Sequence, residues 1–314
     1  MELTLLSIKN LNTAFKTRNG EVQACKNIDL DIEVGQTVGI IGETGCGKSV
    51  LGMSILKLLP YNARVTGEIR YLEQNLLTLS DQAMREIRGG GIGLLPQSPS
   101  TSLNPAMKIG TQIEEGLVLH RKMGKPAAKQ KAVDMLTFLG IKKAKKVSEQ
   151  FPHQLSGGMK QRALAAISIT GEPRLLIADE PTKGLDAIVK TQVVELLKQL
   201  KAETGAALLL ITHDLKVAEC LCDKIVVMYS GEIIEMAATQ KILKKPAHPY
   251  TKGLLQSLPE AGMTPIPGQS PSLSQVISGC RFYDRCEIRQ AACQHQRVPL
   301  SVVNGSQVRC LYAD

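Results

Sequence analysis

Hydrophobic and polar residues alternate along the first part of the chain. Residues 3–15 and 21–32 show this alternation, and the turn-forming letters TRNG lie between them at residues 17–20. A period of two is typical of strands that bury one face and expose the other. The pattern therefore predicts that the chain begins with a β-hairpin.

Short, wholly apolar runs then alternate with longer stretches of helical periodicity. The apolar runs, which suit strands covered on both faces of a parallel sheet, are residues 38–41, 92–95, 175–178 and 207–212, and one more short strand is predicted at residues 67–71. The helical stretches are residues 50–59, 109–139 with a break at 124–126, 163–167 and 187–200. We therefore predict an α/β fold with an antiparallel β region and an inserted helical subdomain at about residues 98–170.

A glycine-rich segment, GETGCGKS at residues 42–49, separates the apolar run 38–41 from the first helical stretch. A strand, the pattern GxxxxGKS and a helix together form the context of a phosphate-binding P-loop. Glycines let consecutive N–H groups approach phosphate oxygens at the start of a helix. Lys48 is predicted to reach the β- and γ-phosphates and Ser49 to help hold Mg²⁺. We therefore predict a triphosphate site rather than an ordinary glycine-rich turn.

Polar side chains follow three of the predicted buried strands. Asp179 and Glu180 end one strand, His213 follows another, and Gln97 lies just past a third. We expect Asp179 to reach Mg²⁺ and Glu180 to polarise the attacking water beyond the γ-phosphate. His213 is suited to bridge Glu180 and that phosphate, and Gln97 is at a strand end where α/β folds contact ligands. Each group alone would be read as a cap or a surface residue.

Three further groups have two interpretations from sequence. Ser156, Gly157 and Gly158 open a helical stretch, either as a second anion contact or as an ordinary N-capped helix. Asp186 precedes another helix and is suited to cap it. Phe15 offers a flat apolar face that suits an adenine ring, and a place in the core of the β region is equally consistent.

Taken in order, these motifs resemble the ATP-binding cassette, the ATPase subunit of ABC transporters. The resemblance runs from the start of the chain to about residue 238 and includes the LSGG signature at residues 155–158. It implies a P-loop NTPase cassette in which two subunits close head to tail around ATP. Its matching segments are Walker A (42–49), the Q-loop (Gln97), the signature (155–158), Walker B (175–180), the D-loop (184–186) and the switch histidine (His213).

The resemblance also implies a role for each matching residue of an active ATPase with ATP and Mg²⁺. The catalytic residues are Glu180 as general base, His213 and Gln97. The nucleotide contacts are Phe15, Gly42, Glu43, Thr44, Gly45, Cys46, Gly47, Lys48, Ser49, Val50, Gln97 and Asp179. The contacts to the ATP of the other cassette are Leu155, Ser156, Gly157, Gly158 and Asp186, and the Mg²⁺ ligands are Ser49, Gln97 and Asp179.

The C-terminal segment, residues 239–314, narrows the resemblance. Residues 248–259, HPYTKGLLQSLP, are similar to the C-terminal region of oligopeptide, dipeptide and nickel importer ATPases. The similarity implies ATP-driven import of peptides, nickel or a metal chelate at the cytoplasmic face of the membrane. The implied partners are a second cassette, more often a different one than a copy, two permease subunits and an extracytoplasmic substrate-binding protein.

Half of the eight cysteines lie in this segment, at Cys280, Cys286, Cys293 and Cys310. Clustered cysteines in an intracellular protein point to a metal before a disulfide. Four thiolates suit Zn²⁺ or an iron–sulfur cluster, and of the two the resemblance implies a [4Fe–4S] cluster. The alternative is a set of four buried thiols.

The remaining properties test other functions. With 43% hydrophobic and 21% charged residues the chain is an ordinary globular protein, and no signal peptide or membrane span is predicted. The net charge of +9 permits a soluble ABC ATPase that acts on nucleic acid in repair or translation. The 3% aromatic content leaves few stacking platforms, and there is a single Walker A segment, so no nucleic-acid partner is predicted.

Overall fold

A computed structural model describes residues 3–18 and 20–313. The strands in these ranges are β1 (Thr4–Thr17), β2 (Gly20–Glu33), β3 (Thr37–Ile41), β4 (Ala63–Tyr71), β5 (Gln74–Asn75), β6 (Ile92–Leu95), β7 (Leu175–Asp179), β8 (Ala207–Ile211), β9 (Lys224–Tyr229), β10 (Glu232–Ala238), β11 (Ser301–Val303) and β12 (Ser306–Val308). The helices are α1 (Lys48–Ile55), α2 (Asp81–Glu86), α3 (Pro99–Ser102), α4 (Ile109–Arg121), α5 (Lys125–Phe138), α6 (Ala144–Ser148), α7 (Gly157–Ser168), α8 (Ala187–Thr204), α9 (Leu215–Leu221), α10 (Thr239–Lys244), α11 (Pro249–Gln256) and α12 (Ala291–His295).

The chain divides into two compact units. The first unit contains residues 1–78 and 211–314, and the second contains residues 79–210. These units are defined by contacts within the chain. The predicted division into an ATP-binding domain at residues 1–238 and an extension at residues 239–314 is based instead on resemblance to a family, and it stays a prediction. No helix of the described ranges is both long and apolar enough to cross a membrane.

An antiparallel sheet opens the first unit. Strand β1 pairs with β2 on one side and with β4 on the other, and the order is β2-β1-β4-β5. Leu6, Ile8 and Ile32 are fully buried on its inner face, because alternate residues of a strand point to the same side. The predicted hairpin and the antiparallel β region are confirmed.

A second group of strands in the first unit carries the P-loop. Strand β3 runs parallel to β9, β9 pairs antiparallel with β10, and β10 pairs with β12, which in turn pairs with β11. All five residues of β3 are buried, as expected for a strand covered on both faces. The C-terminal segment therefore adds two strands, β11 and β12, to the sheet that contains β3.

The second unit contains parallel strands and the helical part. Strands β6 and β7 are parallel, with Leu95 paired to Ala178, and β8 lies next to β7. Helices α4 and α5 form the predicted helical stretch. Lys122, with φ of 53°, ends α4 and α5 begins at Lys125, so the break lies at residues 122–124 rather than at the predicted 124–126. Lys142, Lys143, Lys145 and Lys146 are exposed, so this basic run is a solvated surface.

Two helix ends differ from the sequence prediction. Helix α1 begins at Lys48 and ends at Ile55, whereas the apolar pattern predicted residues 50–59. Lys57 adopts a left-handed φ of 51°, which ends the helix although apolar residues continue beyond it. Helix α8 continues past residue 200 to Thr204, and Gly205 ends it in the left-handed conformation, a common helix stop.

Candidate nucleotide site

The P-loop, residues 42–49, connects β3 to α1 through three glycines with positive φ. Gly42, Gly45 and Gly47 have φ of 151°, 83° and 107°. A Cβ atom on Gly42 would lie 2.1 Å from the carbonyl oxygen of Met228, and one on Gly47 would lie 2.2 Å from that of Ala24. Both contacts are far shorter than van der Waals distance, and both are made to backbone atoms rather than to the end of a flexible side chain. The packing of the first unit therefore requires glycine at both positions.

Lys48 is the first residue of α1, and its charge is directed into the loop. The side chain is buried, with 5% of the residue exposed, and Nζ donates to the carbonyl oxygens of Gly42 at 2.8 Å and Glu43 at 2.9 Å. Helix α1 has no side-chain cap and no acidic residue in its first turn. Its N–H groups and dipole are thus left to favour an anion. This arrangement suits phosphate.

Glu43, the second residue of the P-loop, contacts three residues that sequence reasoning missed. Its carboxylate forms an ion pair with Arg285 and accepts a hydrogen bond from Ser270. Its backbone N–H donates to the hydroxyl of Tyr250 at 3.1 Å. All three partners come from the C-terminal segment. No local pattern marks them, because they lie more than 200 residues away along the chain.

Two carboxylates lie at the end of β7 in the second unit. Asp179 ends the strand and Glu180 follows it, with 6% and 7% of each residue exposed. Glu180 has a φ of 48°, and a left-handed backbone at a residue other than glycine is uncommon and tends to occur at functional sites. Gln161 of α7 donates through Nε2 to the carbonyl oxygen of Pro181 at 2.5 Å. The signature helix thus holds the segment just after Glu180.

The strand register places the predicted Q-loop near the same edge. Leu95 pairs with Ala178, so β6 and β7 end side by side, and Gln97 follows two residues after β6. Gln97 is exposed. The structure therefore brings Gln97 and Asp179 to neighbouring strand ends, as a shared ligand site requires. Their roles, including Mg²⁺ binding, stay predictions.

The signature segment is an exposed helix start. Leu155 is buried and anchors it, whereas Ser156 and Gly157 are exposed. The hydroxyl of Ser156 accepts a hydrogen bond from the backbone N–H of Met159 at 3.4 Å and caps α7. The capping interpretation is thus confirmed, and a contact to a second ATP-binding subunit stays a prediction.

The remaining predicted residues take local positions. Asp186 caps α8 by accepting from the N–H groups of Ile188 and Val189 at 3.0 Å each. His213 is exposed just after β8, in the first unit. Phe15 is half-buried in β1 and pairs with Val22 of β2. It is thus not a full member of the core, and adenine stacking stays a prediction.

The predicted metal site at the four cysteines of the C-terminal segment finds no support in the described residues. Cys280, Cys286, Cys293 and Cys310 line one cavity. Burial raises the pKa of the Cys280 thiol to about 12 and also raises that of Cys286. Across residues 3–18 and 20–313, no three His, Cys, Asp or Glu side chains are arranged to hold a metal ion. A [4Fe–4S] cluster or Zn²⁺ here is therefore not supported.

Comparisons with known proteins match both parts of the chain. The family described as "ABC transporter" matches residues 25–183, and the one described as "Oligopeptide/dipeptide transporter, C-terminal region" matches residues 234–293. The Dipeptide transport ATP-binding protein DppD of Bacillus subtilis (strain 168) is 44% identical over 296 residues, which cover 92% of this chain and 88% of the relative. The Oligopeptide transport ATP-binding protein OppD of the same strain is 43% identical over 288 residues, covering 88% and 80%.

A solved structure shares the fold. The ATP-binding cassette MJ0796, in a dimeric post-hydrolysis state bound to ADP and Pi, is 26% identical with a TM-score of 0.66. The alignment covers 74% of this chain and 98% of that one.

A P-loop between a buried parallel strand and a helix defines a nucleotide-binding protein of the P-loop class. The chain belongs to the ABC transporter family. It is an ATPase of the cassette fold, and ATP with Mg²⁺ is the general cofactor pair of that family. The predicted family, fold class and enzyme class are thus confirmed, and action on nucleic acid finds no support.

Proposed function

We propose that this chain is the ATP-hydrolysing subunit of an importer for dipeptides or oligopeptides. One observation carries the proposal: the C-terminal segment matches the oligopeptide/dipeptide transporter region, and two relatives above 40% identity are named for dipeptide and oligopeptide transport. The relatives reported above are named for peptides and none for nickel. Peptide is therefore the cargo class that we propose.

In this proposal the P-loop binds ATP and the strand ends supply the chemistry. Lys48 and the loop N–H groups hold the phosphates, and Glu180 takes a proton from the attacking water. His213 orients that water and the γ-phosphate. Ser49, Gln97 and Asp179 would hold Mg²⁺, which offsets charge that develops on the phosphates during transfer. Oxygen donors of this kind are what Mg²⁺ prefers.

The proposed assembly needs partners. We infer that the signature residues of one cassette, with Asp186, face the ATP of a second cassette, and that a heterodimer forms. Two permease subunits would supply the membrane path at the cytoplasmic face, and an extracytoplasmic binding protein would deliver the peptide. The exposed signature supports this inference, because a capped helix start with glycines offers N–H groups to an anion from outside the chain.

Peptide uptake by cells that lack the gene tests the function. Cells complemented with the unchanged chain are expected to take up a labelled dipeptide, and cells complemented with Glu180→Gln are not. In the purified variant, ATP stays bound while hydrolysis falls by about 100-fold or more, the usual size of a general-base effect. Uptake of labelled Ni²⁺ in place of the dipeptide would overturn the cargo, and unchanged hydrolysis would overturn the role of Glu180.

A further inference from the structure

The C-terminal segment contacts the P-loop through a two-point ion pair. Arg285 Nη2 lies 3.0 Å from Glu43 Oε1, and Nη1 donates to Glu43 Oε2 at 3.1 Å. Ser270 donates to the same carboxylate, and Tyr250 accepts from the Glu43 N–H. Paired guanidinium and carboxylate groups of this geometry are stronger and more directional than single contacts.

Arg285 is also held in place by contacts that do not involve Glu43. Its side chain is 6% exposed. Nε donates to the carbonyl oxygen of Pro267 at 2.9 Å, and Nη1 to the hydroxyl of Tyr229 at 3.3 Å. A planar guanidinium held in this way is preorganised. The position of Glu43 is therefore set by the C-terminal segment, and not the reverse.

The charge of Glu43 bears directly on nucleotide binding. A carboxylate in the P-loop repels a triphosphate, and the Glu43 side chain is 32% exposed. The Arg285 guanidinium neutralises the charge of Glu43 and keeps the Glu43 carboxylate directed towards the C-terminal segment. We propose that Arg285 is a positioning residue for the P-loop, which makes ATP affinity depend on the C-terminal segment through Glu43. This inference rests on the proposed nucleotide site.

Two substitutions at one position separate charge from shape. Arg285→Gln and Arg285→Lys both remove the guanidinium fork, but only lysine keeps the positive charge. We expect the Kd for MgATP, measured by calorimetry, to rise about tenfold in Arg285→Gln and to stay within about threefold in Arg285→Lys. Adding Glu43→Gln to Arg285→Gln is expected to restore most of the lost affinity. A merely structural role would weaken both single variants alike and give no recovery.

The controls separate failure of this inference from failure of the nucleotide site. Arg289→Met changes an arginine of the same segment that donates to the Asp284 carbonyl oxygen, and it should leave the Kd unchanged. Lys48→Ala should abolish binding; if it does not, the proposed site itself is wrong. If Lys48→Ala fails to bind while Arg285→Gln binds like the unchanged chain, or if Glu43→Gln restores nothing, the role of Arg285 is wrong.

A variant that removes one hydroxyl covers the case in which Arg285→Gln does not fold. Tyr250→Phe keeps the ring but takes away the acceptor of the Glu43 N–H. We expect a Kd for MgATP about threefold higher, since one neutral hydrogen bond is lost. If the Kd for MgATP is unchanged in Tyr250→Phe while Lys48→Ala does not bind MgATP, the C-terminal segment does not support the P-loop.

A separate cavity in the first unit has an excess of positive charge. It measures about 230 Å³, and its charged lining residues are Lys26, Arg281, Arg297, Arg309 and Glu232. Four cations and one carboxylate give a formal charge of +3. His248 also lines the cavity, and burial lowers its pKa to about 3, so it adds no charge at neutral pH.

Arg281 lines this cavity, and its Nη1 donates to the Ser230 hydroxyl at 3.1 Å. The residue is 5% exposed, and its Nε has no hydrogen-bond partner among the described residues. The Glu232 carboxylate is 3.9 Å away and is shared with Lys26 at 3.5 Å. A buried guanidinium N–H without an acceptor is costly, and a bound anion would satisfy it. We propose that the cavity binds a small multivalent oxyanion of the phosphate class.

Inorganic phosphate is the probe, and Lys48→Ala separates this cavity from the P-loop. Calorimetry should detect phosphate binding in the Lys48→Ala protein, with a Kd at least about tenfold higher once Arg281→Met is added. Arg297 is exposed, so Arg297→Ala serves as a second variant, and it should weaken binding about threefold. Acetate, with a single charge, should bind more weakly than phosphate. Absence of phosphate binding in Lys48→Ala, or binding that ignores both arginines, would overturn the site.

Discussion

Two glycine-rich helix starts look alike in the sequence and are built differently. In the P-loop, a Cβ on Gly47 would lie 2.2 Å from the carbonyl oxygen of Ala24. At the signature, a Cβ on Gly157 or Gly158 would meet no atom within 4 Å in the described part of the chain apart from the neighbouring backbone of its own helix. The P-loop start has no side-chain cap, whereas Ser156 caps the signature helix α7.

The difference separates two reasons for a glycine. In the P-loop, the chain's own packing and a left-handed backbone require it. At the signature, no contact to the rest of the described chain requires it, and neither of the two glycines, which begin α7, has a positive φ. Close approach of a second subunit, as proposed above, would supply the missing reason.

The largest effect is expected from Gly47→Ala. The new methyl group meets a backbone oxygen, and φ of 107° is unfavourable for alanine, so the free energy of unfolding should fall by about 3 kcal/mol. ATP binding should be lost with it. Gly45→Ala is the matched control: its φ is 83° but a Cβ would meet nothing within 4 Å among the described residues. A cost above about 2 kcal/mol in this control would show that backbone strain, not packing, dominates the loop. Urea unfolding measures both.

The second-largest effect is expected from a decrease in pH, which should lower the stability of the C-terminal segment that contacts the P-loop. His248 caps α11 by accepting from the Tyr250 N–H at 3.0 Å, and burial lowers its pKa from 6.5 to about 3. Because the unfolded chain then binds the proton more tightly, stability falls as pH drops below about 6.5. From about pH 7 to about pH 5 this group should cost about 2 kcal/mol. A hydrogen bond with the Arg309 backbone offsets part of this shift, whereas the charges of Arg309 and Lys252 lower the pKa of His248 further. Glu235 accepts a hydrogen bond from the His248 backbone N–H.

Urea unfolding against pH checks this effect. His248→Asn keeps a hydrogen-bond acceptor at the helix start and should remove most of the acid sensitivity in this range. His153→Asn, at an exposed position near the signature, should leave the sensitivity in place. If the slope survives in His248→Asn, another group is responsible for it.

A smaller effect, of a different kind, is expected from Gly158→Ala. The free energy of unfolding should stay within about 0.5 kcal/mol or rise, since alanine favours the helix. ATP affinity of the single subunit should not change. Turnover in the assembled transporter should fall about tenfold, because the added methyl group would stand between the helix start and the other subunit's ATP. A clear loss of stability would mean that the chain itself needs the glycine.

The smallest effect is expected from Ser156→Ala. Loss of the cap on α7 should lower the free energy of unfolding by about 1 kcal/mol. Thr in place of Ala should restore most of it, because threonine also caps helices. A stability loss without any change in turnover would identify Ser156 as a cap alone.

Local patterns predicted most of the fold. The alternation at residues 3–15 and 21–32 became β1 and β2, and the apolar runs became buried strands. The P-loop was readable because its phosphate chemistry depends on residues that are adjacent in the chain. The end of α1 was not readable, since Lys57 leaves the helix although the apolar pattern continues.

Contacts between residues far apart in the chain could not be predicted from the sequence. The sequence showed that four cysteines lie close together in the chain, but their number could not show whether they hold a metal, and no metal-binding group is found among the described residues. The ion pair of Glu43 with Arg285 joins residues 242 positions apart. Charged residues are common on any surface, so no pattern marks these two as partners.

The order and spacing of the motifs in the sequence were enough to identify the family, the P-loop and the polar residues at the strand ends. Each of these features depends on residues that are close together in the chain. Tertiary structure alone decided which glycines are sterically required, how the C-terminal segment holds Glu43, and which buried N–H of Arg281 lacks a hydrogen-bond acceptor. These features depend on distances and burial in three dimensions, which the chain acquires only when segments far apart in sequence pack against each other.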